Sequence, residues 1–202
     1  MKPVLFSTLL LGFAASAGAE IITSNTSGSA ATVGSGFYLA QSVTTPTSGY
    51  WDDITFNFVN ASGNAPFALG GLYLLSEAYA GLPGDLSSST PGYVAYTNTI
   101  GSGAWEFTGV ILQPGTQYFL YTDTEFNGPE ILYSTSNPYA GGEAYEATNS
   151  TSDYVGVGSI DTQFALTGDA APEPGTLGLF VGAAGMAAVF FRRRNAETFF
   201  DI

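Results

Sequence analysis

The sequence predicts an all-β protein: an antiparallel β-sandwich, jelly-roll-like, with an N-terminal signal peptide before it and one C-terminal transmembrane helix after it. Three observations carry this expectation. Ten short runs rich in aromatic and β-branched residues recur between Gly36 and Gly168, separated by turn sequences such as LPGDLSSSTPG, QPGT and NGPE. Several runs alternate with period two: Phe37, Leu39, Gln41 and Val43 share one face, and Ile54, Phe56 and Phe58 oppose Thr55, Asn57 and Val59. Gly, Ser, Thr and β-branched residues crowd every window, which removes a helical bundle on propensity.

Along the chain, 20–36 (EIITSNTSGSAATVGSG) is small and polar without sustained period, a flexible lead-in or an edge strand. The body, 37–168, holds the strand runs, among them FALGGLYLL, GYVAYTNTI, AWEFTGVIL, TQYFLYTDT, EILYSTS, GEAYEAT, DYVGVGS and DTQFALTG. Only SEAYAG hints at a helical turn. Two facing sheets are expected because one open sheet would leave Phe56, Phe58, Trp105, Phe107 and Phe119 in water.

Charge narrows the partners. There are 17 acids against four basic residues (Lys2, Arg192, Arg193, Arg194), no His and no Cys, for a net charge of −13. Nothing from 3 to 191 is positive, so phosphates cannot be neutralised and nucleic-acid binding is excluded. Anionic membranes and acidic polysaccharides are repelled unless a divalent cation bridges them. Without Cys there are no disulfides, but 45% hydrophobic residues suffice for a core.

Catalysis is not expected. A body without His, Cys, Lys or Arg has no serine triad, thiol nucleophile or His-ligated metal. Carboxylate chemistry alone remains, as in a glycosidase, which needs two carboxyl groups about 5–9.5 Å apart across a cleft. Asp52 and Asp53 are adjacent on a predicted strand and point to opposite faces, whereas Asp123 and Glu125 share a face, as do Glu143 and Tyr145. No cofactor is expected beyond a structural Ca²⁺, for which oxygen ligands would come from Asp123, Glu125, Asp153 and Asp161. No D-x-D-x-D spacing accompanies them, and the competing reading is a solvated acidic surface. Sugar stacking is the remaining option: Tyr38, Tyr50, Trp51, Tyr93, Tyr96, Tyr139, Tyr145 and Tyr154 lie near turns, although tyrosines are also ordinary amphipathic strand residues. Asn25, Asn60 and Asn149 open N-x-S/T triplets that permit glycosylation.

The ends speak to location. Lys2, an apolar run and the small-residue site Ala17-Gly18-Ala19 have the order of a secretory signal peptide (1–19), with cleavage expected after Ala19. At the other end, 169–175 is a linker carrying Pro172-Glu173-Pro174, and 176–191 is free of charge. As a helix 176–191 covers about 24 Å, short of a hydrocarbon core of about 30 Å, but the stems of Arg192, Arg193 and Arg194 extend it by snorkelling. The Arg triplet acts as a membrane stop signal: the positive-inside rule keeps 192–202 cytoplasmic and the body outside. The Gly178-xxx-Gly182 spacing suits helix pairing.

PEPGTLGLF followed by FFRRR resembles the PEP-CTERM sorting tag of exopolysaccharide-producing Gram-negative bacteria. The resemblance implies recognition by exosortase, a membrane-embedded transpeptidase-like enzyme, cleavage at or near the triplet, and transfer to the cell surface or extracellular matrix. NAETFFDI, beyond Arg194, is longer than such tails often are. The body, through GLYLLSEAYAGLPGDL, WEFTGVILQPGTQYFLY and DTQFALTG, resembles the choice-of-anchor type of β-sandwich, which implies a secreted module without established catalysis. Together the resemblances imply a non-enzymatic surface or matrix protein processed by exosortase, with exopolysaccharide as a partner; the tyrosines leave a carbohydrate-binding or matrix-adhesion module as the alternative, and the carboxylates a glycosidase as the third reading.

Overall fold

The computed structural model describes residues 19–26, 30–33, 36–62, 64–127, 130–134, 136, 138–158 and 160–171. Among them are fifteen strands: β1 Glu20–Asn25, β2 Ala30–Val33, β3 Tyr38–Thr44, β4 Tyr50–Val59, β5 Pro66–Phe67, β6 Leu72–Leu75, β7 Tyr93–Thr97, β8 Ile100–Gly101, β9 Ala104–Phe107, β10 Gln117–Thr122, β11 Ile131–Ser134, β12 Ala144–Ala147, β13 Val155–Gly156, β14 Asp161–Thr162 and β15 Phe164–Ala171. The protein is all-β, and its strand pairings are antiparallel. The first sheet runs β1-β15-β4-β9-β8 with β5 beside β4, the second runs β13-β12-β3-β10-β6-β7, and a small third runs β14-β11-β2.

Period two explains what is buried. Ile54, Phe56 and Phe58 of β4 are fully enclosed, and they meet Leu39 and Val43 of β3, Leu72 and Leu74 of β6, Trp105 of β9, Leu120 of β10 and Phe164 and Leu166 of β15 in one cluster fed by both large sheets. At its centre Phe56 stacks on Trp105 at 6.2 Å and meets Phe58 edge-on at 5.1 Å, within the range in which aromatic pairs add to simple burial. The indole of Trp105 donates to the carbonyl of Gly70 at 2.9 Å, so its one polar atom is also satisfied.

Alternation breaks where a strand bulges. In β4, Thr55 faces Thr167 but Asp52 faces Asp169, so Asp53 and Ile54 together oppose Gly168. Asp53 takes φ +45°, and both Trp51 and Ile54 turn inward although they are three positions apart. A Cβ on Gly168 would lie 2.7 Å from Ile54 Cδ1 and 2.9 Å from the Asp52 carbonyl oxygen, so only glycine fits opposite the bulge. The adjacent aspartates therefore do not sit on a regular strand, as alternation predicts; Asp53 is exposed and Asp52 half-buried.

Three further departures from the sequence expectation have clear causes. The run FALGGLYLL is split: β5 belongs to the first sheet and β6 to the second, and Gly70 and Gly71 carry the chain across. Gly70 has φ +68°, and a Cβ on it would lie 1.9 Å from Thr124 Oγ1, so neither the turn nor the space admits a side chain. SEAYAG forms no helical turn. Tyr79 instead lies across the outside of the second sheet, its N–H donating to the Tyr121 hydroxyl at 2.9 Å, and the only 3-10 turn among the described residues is Pro83–Asp85. Finally, the β body exceeds 37–168: residues 20–25 form edge strand β1 against β15, with Ile22 in the core, and β15 continues to Ala171 because Ala170 and Ala171 pair with Trp51 and Tyr50.

The outer face of the second sheet carries a second, aromatic cluster. Tyr38, Leu75, Leu86, Phe119, Tyr121 and Tyr154 are buried there, with Tyr73, Tyr79 and Tyr145 partly buried against them. Strand β3 is consequently covered on both faces, which period-two reading alone does not foresee.

Candidate functional site

The described body contains no Lys, Arg or His, so no carboxylate is paired with a cation among the described residues. The four acids expected as calcium ligands are dispersed. Asp123 follows β10, and its Oδ1 accepts from the Gly71 N–H at 2.8 Å and from Thr124 Oγ1 at 2.8 Å. Glu125 is half-buried, and its charge, with that of Asp123, adds to burial in raising the Tyr38 pKa. Asp153 is exposed and adds, after burial and Asp85, to raising that of Tyr79. Asp161 is fully buried in β14. No group of three or more acids among the described residues is placed to hold a metal ion.

Asp161 instead anchors an internal network. Its Oδ1 accepts from Gln41 Nε2 at 3.1 Å and its Oδ2 from the Tyr139 N–H at 2.9 Å, while Gln41 Oε1 accepts from Thr162 N at 3.0 Å and Thr162 Oγ1 at 2.8 Å. Burial raises the Asp161 pKa, and the Tyr139 and Gln41 donors oppose that shift. The network ties β3 of the second sheet to β14 of the third; it is closed and structural.

The aromatic candidates separate in the same way. Tyr38, Trp51 and Tyr154 are buried, and Tyr154 gives its hydroxyl proton to the Thr122 carbonyl. Tyr139 is a clamp whose hydroxyl accepts from Thr44 N at 3.0 Å and donates to Thr44 O at 3.2 Å. Tyr145 and Tyr50 are half-buried. Tyr93 and Tyr96 are exposed, at 37% and 40%. Of the glycosylation triplets, Asn25 is buried with its amide donating to Thr162 O at 2.9 Å, whereas Asn149 is exposed in a turn.

Burial holds three phenols neutral. It raises the Tyr121 and Tyr154 pKa values strongly and pushes Tyr145 up to about 12, where the Glu143 carboxylate adds to the shift. A folded pKa above the unfolded value of 10 means that stability from these groups is complete below pH 10 and is lost as pH rises through the folded values. Cooperative alkaline unfolding is therefore expected above about pH 10. Phenolate absorbance and near-ultraviolet circular dichroism should change together in a base titration; a full phenolate signal with the dichroism intact would contradict this.

Tyr93, Tyr96 and Tyr73 form one exposed arrangement. Three residues apart on a regular strand, Tyr93 and Tyr96 would face opposite ways. Leu74 faces Ala95 but Leu75 faces Tyr93, so Val94 is an extra residue, and this bulge returns both tyrosines to the side of Tyr73. Tyr73 lies between them, with ring centroids 4.6 Å from Tyr96 and 6.4 Å from Tyr93 at interplanar angles of 46° and 64°. The Tyr96 hydroxyl bonds the Asp123 carboxylate; burial first and Asp123 second raise the pKa of both Tyr96 and Tyr73. Both phenols are thus neutral at physiological pH. Alternation marks Tyr73 as outward-facing between Leu72 and Leu74, but only the bulged partner strand makes it part of a triad.

Among the described residues β7 ends its sheet, with no strand paired to its outer side. Beside it opens a cleft of about 230 Å³, lined by Tyr96, Thr97, Asn98, Thr99, Glu106 and Thr108 among others. The cleft is held open where the chain passes from β7 to β8 and β9: Thr97 Oγ1 donates to Glu106 O at 2.7 Å, and Glu106 N donates to Thr99 O at 2.9 Å.

Ala19 is exposed immediately before β1; Ala17, Pro172, Glu173, Pro174, Arg192, Arg193 and Arg194 lie outside the described residues, as do the expected signal peptide core and the 176–191 helix. No helix among the described residues is long and apolar enough to cross a membrane. No protein-family model, curated protein or solved structure matches the chain.

Proposed function

We propose that this chain is a non-enzymatic protein of the cell surface or extracellular matrix, exported by its N-terminal segment and sorted by exosortase through a C-terminal PEP tag. Its two large sheets then face each other as a jelly-roll-like sandwich, a reading supported by the single cluster to which both contribute. The observation that carries the functional reading is the order of residues at the two ends: Lys2, apolar run and Ala17-Gly18-Ala19 at one, Pro172-Glu173-Pro174, apolar run and Arg192 to Arg194 at the other.

Topology supports it. Glu20 at the start of β1 pairs with Gly168 near the end of β15, so the chain enters and leaves the body at the same end of two neighbouring strands. Two apolar segments leaving from one end can enter one membrane while the body stays on one side of it. Cleavage after Ala19 leaves β1 whole, and cleavage at the triplet leaves β15 whole, so processing at both ends costs no strand pairing.

Intact-mass measurement of the protein recovered from the extracellular fraction of an exosortase-bearing host tests the proposal. The expected species begins at Glu20 and ends within or next to 172–174. Recovery with 192–202 still attached would overturn it.

A further inference from the structure

We propose that Tyr73, Tyr93 and Tyr96, with the adjoining polar cleft, form a binding site for a neutral polysaccharide chain. This deepens the surface or matrix reading by naming the class of matrix component bound, and rests on it only for where the ligand would be met.

The chemistry of the strip selects the ligand. A pyranose presents a patch of C–H groups on one face and hydroxyls around its rim; it is satisfied by a phenol ring beneath and by hydrogen-bonding groups beside it. Three phenols stand together on the outside of β6 and β7, two of them exposed, and the hydroxyl of Tyr96 is oriented by Asp123. Around the edge of β7, and joined to the rings through Tyr96, the cleft adds the hydroxyl, amide and carboxylate groups of Thr97, Asn98, Thr99 and Glu106, suited to a sugar rim, beside an apolar wall of Ala95 and Val110. The bulge at Val94 is what brings Tyr93 and Tyr96 to one side, and bulges commonly re-aim side chains at functional positions.

Charge removes the competitors. With no cation in the described body, the site repels sulfated or uronate polymers, nucleic acids and anionic lipid surfaces. A purely apolar partner is disfavoured too, since it would strand Asn98, Thr99 and Glu106 on the polar side of the cleft without hydrogen bonds to it. The interplanar angles of 46° and 64° make the strip twisted rather than flat, so a soluble chain able to follow the twist fits better than a flat crystalline surface.

The test is affinity electrophoresis of the full-length chain in mild detergent, in native gels containing hydroxyethylcellulose, galactomannan or dextran, with alginate as the acidic control. Retardation by at least one neutral polymer and none by alginate is expected. The double variant Tyr93→Ala/Tyr96→Ala should weaken retardation at least tenfold, and Ile21→Ala, at an exposed site on the first sheet, should leave it unchanged. Both tyrosines are exposed, so the double variant should unfold in urea close to the parent's midpoint; if it does not, Tyr93→Ser alone replaces it and should weaken binding at least threefold. No retardation by any neutral polymer, equal retardation by alginate, or retardation indifferent to these variants would overturn the proposal. So would self-association of the parent chain that the double variant abolishes in the absence of glycan binding, which would place a second copy on the strip. Because the intact-mass experiment reads processing and this one reads binding, either proposal can fail while the other stands.

Discussion

Trp105→Ala is expected to remove most of the stability of the domain. The indole is fully buried, stacks on Phe56, meets Phe58 edge-on at 5.8 Å, and donates to Gly70 O. Truncating such a side chain costs about 3–5 kcal/mol when the surroundings cannot collapse into the space. Collapse is resisted here because the neighbouring rings, Phe56 and Phe58, are held in place by β4, which is paired with β15 on one side and β9 on the other. Stranding the Gly70 carbonyl, at a glycine that must keep φ +68° for the chain to cross between sheets, adds about 1–3 kcal/mol. Against a total stability of about 5–15 kcal/mol, the variant should be largely unfolded or lose most of its urea midpoint. Urea unfolding followed by fluorescence of Trp51 checks this; a shift of the order seen for an exposed site such as Ile21→Ala would contradict the packing described.

Gln41→Leu should be the second most damaging change, despite the similar volume of the two side chains. It removes the acceptor of Thr162 N and Thr162 Oγ1 and one of the two hydrogen bonds described to the buried Asp161 carboxylate. Each buried group left without a partner costs about 1–3 kcal/mol, and more where it is charged, so a loss of about 3–5 kcal/mol near neutral pH is expected. The pH dependence distinguishes this cause from simple repacking. Burial already raises the Asp161 pKa above its ordinary 3.8, so its contribution to stability is full below that value and declines as pH rises through the folded pKa. Loss of the Gln41 donor raises the folded pKa further. The penalty should therefore be clearly larger at about pH 7 than at about pH 4, when unfolding curves of parent and variant are compared. A penalty independent of pH would show that Asp161 is not charged in the folded protein or that Gln41 does not stabilise the charge.

Local chemistry makes much of this architecture legible. Strand identity followed from alternation because a half-buried strand must place apolar residues every second position, and Ile54, Phe56 and Phe58 do so in β4. The absence of cations between residues 3 and 191 was equally direct, because it is a property of composition. The candidate site was only half legible. Tyr93 and Tyr96 stood out as aromatics near turns, yet Tyr73 gained meaning only through its neighbours on β7, and Trp51, Tyr38 and Tyr154, which look alike in the sequence, are buried.

The sequence by itself determined that the chain is all-β, acidic throughout its body, and bracketed by apolar segments with positive flanks, because composition and short periods are properties of neighbouring residues. Only the tertiary structure decided that FALGGLYLL divides between two sheets, that β1 closes one edge, that Asp161 is a buried anchor rather than a rim acid, and that a bulge turns two tyrosines to one side. These depend on register, and register is fixed by residues far apart in the chain: Gly168 opposite Asp53 and Ile54, Leu75 opposite Tyr93, and Asp161 against Gln41. A one-residue shift reverses which face a side chain takes, and no local pattern encodes where the partner strand will bulge.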